Sequence, residues 1–233
     1  MNIHTLQHNY HNLHLQIAEV LKDSNRSTEN LTLVCVSKTV DIETIQTLYQ
    51  LGHRHFAENR PQIFREKYQA LQTSCPEIVW HYVGNLQRRP VKDIINNLDY
   101  LHSVDRLSLA KEINKRRINP LKCFVQVNIS GEDSKSGFTP QELIKAVESL
   151  KELDKLKIIG LMTMAPKYAS NQEITSIFKT LSSLQQDIHD LNYPTIPCTE
   201  LSMGMSQDYT LAIPAGATYI RVGSAFFQES SPQ

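Results

Sequence analysis

The chain has no Cys-x-x-Cys pair, no long apolar run and no excess of charge: 24 Lys and Arg stand against 24 Asp and Glu in 233 residues. Zero net charge argues against a general binder of nucleic-acid backbone, which needs surplus Lys and Arg on one face. No run approaches the roughly 18–20 apolar residues of a membrane span. The four cysteines, Cys35, Cys75, Cys123 and Cys198, lie far apart, so neither a zinc ribbon nor a thioredoxin-like motif is available. Three of them fall in strand-like apolar runs and are read as reduced core residues of a cytosolic protein. Met1-Asn2-Ile3-His4-Thr5 lacks the basic start and apolar run of a secretory signal, and the expectation is a cytoplasmic chain. No Ser-rich or charge-rich linker divides the sequence, which favours one domain over 1–233. With 40% hydrophobic residues, that domain can bury a sizeable core.

Hydrophobic periodicity supplies the organisation. Ile3, Leu6, Tyr10, Leu13, Ile17 and Val20 form one stripe of a helix within 1–23. Leu31 to Ser37 is short, apolar and β-branched, a buried strand, and a helix follows from Asp41 with Gly52 as its stop. Further strands are expected at Arg54 to Ala57, Ile78 to Val83, Tyr100 to Ser103, Leu121 to Asn128, Lys157 to Met164, Thr199 to Met203 and Thr218 to Val222. Between them fall helices from Pro61, over Arg89 to Asn97, Asp105 to Arg117, Thr139 to Leu153, Gln172 to Asp190 and Gln207 to Ile213. Thr139, Pro140 and Glu142 supply an N-cap, a first-turn proline and a capping-box partner. Strict βα alternation implies parallel strands and right-handed crossovers, and eight units in this length point to an α/β fold, a (β/α)8 barrel with an extra N-terminal helix. The alternative, a doubly wound open sheet, lacks support: no Gly-x-Gly-x-x-Gly follows the first strand and no P-loop motif occurs.

In such a barrel, function sits at the C-terminal strand ends. Those ends hold Lys38, Glu58-Asn59, Gly84, Ser103, Asn128, Met162 to Met164, Ser202 to Ser206 and Arg221 to Ser224. Lys38 follows Val34-Cys35-Val36-Ser37 directly. Alone it reads as a lysine whose stem snorkels to solvent. The functional alternative is a partly desolvated amine with a lowered pKa, poised to form a Schiff base with a carbonyl. Two chemistries use such an amine: a sugar-phosphate aldolase, and covalent binding of pyridoxal 5′-phosphate (PLP). The Gly-Ser segments after strands seven and eight sit at the recurrent phosphate site of these barrels, where backbone can approach a ligand closely. A phosphate-bearing ligand near a reactive lysine is the joint inference.

Val36-Ser37-Lys38-Thr39, Glu58-Asn59, His81-Tyr82-Val83-Gly84-Asn85-Leu86-Gln87, Asn128-Ile129-Ser130, Lys135-Ser136-Gly137, Gly160-Leu161-Met162, Leu201-Ser202-Met203-Gly204-Met205-Ser206 and Arg221-Val222-Gly223-Ser224-Ala225-Phe226-Phe227 occur in that order. On these segments, from about Leu31 to Phe227, the chain resembles the pyridoxal phosphate homeostasis proteins, PLP-binding barrels similar to the barrel domain of bacterial alanine racemase without that enzyme's second domain. The resemblance implies that Lys38 carries PLP as an internal aldimine. It implies Ser202, Ser206, Gly223 and Ser224 as phosphate ligands, Arg221 at the pyridine nitrogen, and Asn59 and His81 lining the ring pocket. Met162, Met164, Met203 and Met205 are read as core side chains that also wall that pocket. Three positions depart from the family pattern: Arg88-Arg89-Pro90 follows Leu86-Gln87, Val40 replaces a lysine that some members carry, and Ser224 stands where threonine is common.

The implied function is intracellular PLP homeostasis: PLP held on a lysine and released or supplied, with PLP-dependent apoenzymes as partners and the chain a monomer. Lys135 is either a solvated loop lysine or a second amine at the pocket rim. His4, His8, His11 and His14 read as solvated histidines of the first helix rather than as a metal site. An amino-acid racemase is the rival reading. A cation beside the ring nitrogen disfavours its protonation, and racemase barrels take an opposing base from a second domain for which this sequence leaves no stretch. A PLP-free aldolase, the third reading, predicts a colourless protein.

Overall fold

The computed structural model describes residues 2–132 and 135–228. Eight parallel strands, β1 (Thr32–Val36), β2 (His55–Glu58), β3 (Val79–Tyr82), β4 (Tyr100–Val104), β5 (Leu121–Gln126), β6 (Leu156–Met162), β7 (Glu200–Met205) and β8 (Tyr219–Val222), close in sequence order into a barrel. The outer helices are α1 (Ile3–Asp23), α2 (Ile42–Gln50), α3 (Pro61–Leu71), α4 (Val91–Ile94), α5 (Leu107–Arg116), α6 (Pro140–Leu150), α7 (Asn171–His189), α8 (Tyr209–Ala212) and α9 (Ser224–Phe227).

Each strand is buried on both faces, which is why the strands read as apolar runs rather than alternating ones. The period of two still sorts them. Leu33 and Cys35 of β1, Phe56 of β2 and Ile220 and Val222 of β8 point outward into the main core beneath the helices. Val34, Ala57, Tyr100, Phe124, Ile159, Met162 and Tyr219 form a second cluster inside the barrel. The expected capping box is present: Thr139 Oγ1 accepts the Glu142 N–H while Glu142 accepts the Thr139 N–H.

Helix α1 fills a gap in the outer ring. The final helix α9 has only four residues, too few to cover β8 and β1. α1 lies against α9 and α2, burying Leu6, Leu13, Ile17 and Leu21. Asn9 donates to the Phe226 and Gln228 carbonyls, and Arg26 to Ile213 O. His4, His8, His11 and His14 are exposed along it.

Besides α9, for which no helix was expected, two elements differ from expectation. The helix expected over Arg89 to Asn97 is one turn, Val91–Ile94, that tightens into a 3₁₀ turn at Ile95–Asn97. Pro90 precedes it and cannot donate a backbone N–H, so the segment starts late. Strand β7 runs on to Met205, whereas a turn was expected from Gly204. The strand absorbs that glycine through a register shift between Ser202 and Met205, with Gly204 at φ +94°. A Cβ there would lie 2.6 Å from the Ala212 Cβ, so both backbone conformation and close packing call for glycine.

Candidate functional site

The register of β1 against β8, with Val34 opposite Arg221 and Cys35 opposite Val222, sets Gly223 against Val36, two residues before Lys38, at the top of the barrel. A cavity of about 780 Å³ opens there. Its walls come from four connections: Val36 to Thr39 after β1, Ala165 to Asn171 after β6, Met205 to Asp208 at the end of β7, and Arg221 to Gln228 from β8 onward. Five sequence-predicted residues therefore meet on one cavity: Lys38, Ser206, Arg221, Gly223 and Ser224. Lys38 is exposed at the mouth; the partial desolvation expected of it is not found, because β1 ends at Val36 and Lys38 stands beyond it on the connection to α2.

The β7 and β8 loops are tied together by a hydroxyl. Ser206 Oγ accepts the N–H of Gly223 at 3.2 Å and of Ala225 at 3.4 Å. Asp208 accepts the Met205 N–H at 2.5 Å, which fixes the turn that presents Ser206. Burial pushes the Asp208 carboxyl up, against the pull of the Met205 N–H and the nearby Arg221. Arg221 is 4% exposed and forms the cavity floor. Its guanidinium donates to Ser202 Oγ at 2.6 Å and to Thr163 O at 2.9 Å. Burial lowers its pKa to about 10, offset in part by Asp208, so it remains a cation at neutral pH.

Four predicted residues lie elsewhere. Ser202 is fully enclosed beneath Arg221, hydrogen-bonded to that guanidinium and to His102, and does not line the cavity. The Met203 side chain points outward into the core under the helices, because it alternates with the inward Ser202. His81 is fully buried inside the barrel, stacked on Tyr100 at 4.4 Å. Asn59 stands on the far side of the rim, where its carbonyl accepts the Tyr82 hydroxyl at 3.0 Å and abuts Gly84. Of the four methionines, Met205 lines the cavity, while Met162 and Met164 belong to the interior cluster.

Behind Lys38 sits a buried ion pair that the sequence reading missed. Lys67 of α3 reaches Glu58 Oε1 at 2.7 Å and the Ser37 carbonyl at 2.7 Å, and the Ser37 hydroxyl donates to the same Glu58 oxygen at 2.7 Å. The residue preceding Lys38 is thus clamped by its own hydroxyl and carbonyl. A lysine on an otherwise apolar helix face, nine residues after an acidic strand end, was the available signal. Lys135 is ion-paired with Glu132 at 3.2 Å and lies 3.4 Å from Met164 O; Asp133 and Ser134 of its loop are outside the described residues.

The donor set has a definite chemistry. A primary amine at the mouth suits a carbonyl, paired loops bearing hydroxyls and N–H groups suit a phosphate, and a floor cation suits a lone pair. The cavity falls in the range of about 300–1,000 Å³ that takes one small cofactor. These residues fit a phosphate ester carrying an aldehyde and a ring nitrogen.

Comparison with known proteins agrees. The model of the alanine racemase N-terminal domain matches residues 5–231. The pyridoxal phosphate homeostasis protein of Aquifex aeolicus is 34% identical over 92% of this chain and 93% of its own length; that of Mus musculus is 38% identical over 84% and 76%. The solved structure of Synechococcus elongatus PipY with PLP bound superposes with a TM-score of 0.80 at 32% identity, covering 91% of this chain and all of that one. Alanine racemase of Corynebacterium glutamicum shares the fold at a TM-score of 0.67 and 15% identity, over 97% of this chain and 60% of its own. Barrel, cavity and relatives together make the chain a member of the pyridoxal phosphate homeostasis protein family, within the alanine racemase N-terminal domain fold.

Proposed function

We propose that the chain is a PLP-binding barrel of intracellular PLP homeostasis, which holds PLP as a Schiff base on Lys38 and releases or supplies it. The observation that carries this reading is the convergence of Lys38, Ser206, Arg221, Gly223 and Ser224 on one cavity. PLP supplies an aldehyde that condenses reversibly with a primary amine, with loss of water. Lys38, exposed at the mouth, is reachable both by that aldehyde and by a competing amine. Ser206 already accepts two N–H groups, so its own hydroxyl hydrogen is free to donate to a phosphate. Arg221 donates toward the ring nitrogen and, as a permanent cation, disfavours its protonation.

That last role favours carrier over catalyst, because a neutral pyridine is a weak electron sink. The receiving partners on this reading are PLP-dependent apoenzymes. The four cysteines are buried and unpaired, which supports a reducing, cytoplasmic setting. The large exposed apolar side chains are scattered (Ile3, Leu15, Ile118, Ile144, Tyr168, Leu191), which supports a monomer. Two measurements test the reading. Titration should show PLP bound far more tightly than pyridoxal, and equal affinities would refute the phosphate site. Incubation of the PLP-loaded protein with amino acids in deuterated water should leave the α-carbon unexchanged. Stereochemically defined exchange at about 1 s⁻¹ or faster would make the racemase reading the better one.

A further inference from the structure

Three histidines lie outside the cavity and take no part in the reading above. His55 opens β2, His81 lies in β3 and His102 in β4, all on the inner face of the barrel. His55 Nδ1 is 2.9 Å from His81 Nε2, and His81 Nδ1 is 2.9 Å from His102 Nε2. His102 Nδ1 is 2.7 Å from Ser202 Oγ, which in turn accepts from Arg221 at 2.6 Å. The line runs from the cavity floor down the barrel to its N-terminal end. His55 is half-buried there, while Ser202, His102 and His81 are fully enclosed. Aromatic rings sheathe it: Tyr100 stacks on His81 and Phe124 on His102, each at 4.4 Å, with Tyr219 edge-on to His102 at 5.9 Å. The rings are thereby held with their nitrogens facing one another.

Such a line can run in either sense, and Arg221 selects one. A guanidinium only donates, so Ser202 Oγ accepts from it. If His102 also donated to that oxygen, the Ser202 hydroxyl hydrogen would be buried without an acceptor, the costlier arrangement. With Ser202 donating to His102 Nδ1, each imidazole accepts at Nδ1 and donates from Nε2, and every enclosed group is paired. Burial lowers the pKa of all three imidazoles and keeps them neutral, with the surrounding charges secondary. Arg221 faces His102, and Lys122 lies near His81 and His55; Asp99, beside His55, is the opposing charge. Burial, the larger cause, pushes His81 and His102 well below the usual imidazole value. In a low-dielectric interior, bonds of one sense polarise one another.

We propose that Ser202, His102, His81 and His55 form a one-way hydrogen-bonded relay, its three imidazoles neutral and carrying hydrogen on Nε2, that positions the Arg221 guanidinium at the cavity floor. These are positioning residues, for none lines the cavity. Only the consequence for bound PLP rests on the functional reading above; the tautomers need no ligand.

The test is ¹⁵N NMR of ring-labelled protein at neutral pH without PLP. All three histidines should be neutral Nε2–H tautomers, and an Nδ1–H tautomer or an imidazolium at any of them overturns the relay. Ser202→Ala removes the hydroxyl that imposes the sense, so His102 should populate both tautomers; an unchanged Nε2–H signal contradicts the proposal. His102→Phe keeps a ring against Phe124 and should weaken PLP binding about tenfold, the worth of one buried hydrogen bond, and shift the visible band of the bound cofactor. Unchanged affinity and band would refute the positioning role. Nε2–H tautomers in a wild-type protein that fails to bind PLP would refute the functional reading and leave the relay standing.

Discussion

The rim of the barrel has two sides of opposite character. Across β6, β7, β8 and β1 the strand ends part around a cavity and turn hydroxyls, N–H groups and an amine toward it. Across β2, β3 and β4 the equally polar ends are spent on one another. Tyr82 donates to Asn59 O, Ser103 donates to Gly84 O at 2.6 Å, and Glu58 is locked to Ser37 and Lys67. A Cβ at Gly84 would stand 2.1 Å from Asn59 O, so backbone meets backbone where the other side leaves room. Polar residues at strand ends thus do two jobs, and the difference lies in whether a partner stands within reach. The closed side should carry stability and the open side ligand binding.

Substitutions on each side sharpen or break that division. The largest effect is expected for Lys67→Met, which leaves buried Glu58 without its cation and with the Ser37 hydroxyl alone. It should cost about 3–5 kcal/mol in urea unfolding, and an unchanged midpoint would mean that the clamp is dispensable. Gly84→Ala comes next, at about 3 kcal/mol, because the clash is with main chain that cannot rotate away; calorimetry should show the loss as a lower Tm. On the open side, Ser206→Ala removes the acceptor shared by Gly223 and Ala225. PLP affinity should fall by about 1.5–3 kcal/mol with pyridoxal affinity unchanged, and an equal loss for both would take Ser206 out of the phosphate site. Gly223→Ala is the mildest for the fold, its Cβ meeting Val36 O at 3.2 Å. It should shift stability by less than about 1 kcal/mol while still lowering PLP affinity. The reverse pattern, stability lost and binding kept, would erase the contrast with Gly84.

This contrast also marks what could be read in advance. The eight-strand barrel was legible because periodicity and βα alternation are local properties, and the strands expected around Val34, Phe124 and Ile220 appear where expected. Lys38, Ser206, Gly223 and Ser224 were legible as cavity residues because each follows a recognisable strand end, and Arg221 because it stands near the end of β8. Asn59 satisfies the same criterion and sits on the closed side, since its partners, Tyr82 and Gly84, come from the next strand. Met203 is one residue from an inward position, and period two turns it to the helices. Ser202 is inward but lies one layer too deep. The histidine line was hidden because His55 and His102 were not singled out and His81 was assigned to the ring pocket. Its signal was an inward histidine on three consecutive strands, at separations of 26 and 21 residues.

The central claim is that the open side captures an aldehyde at Lys38, and one measurement addresses it directly. PLP-loaded protein is reduced with borohydride, digested and sequenced by mass spectrometry. The account predicts a phosphopyridoxyl mass on the peptide containing Lys38, with little label elsewhere. Label found mainly on Lys135, whose amine is paired with Glu132 and Met164 O, or no label on any lysine, would contradict it.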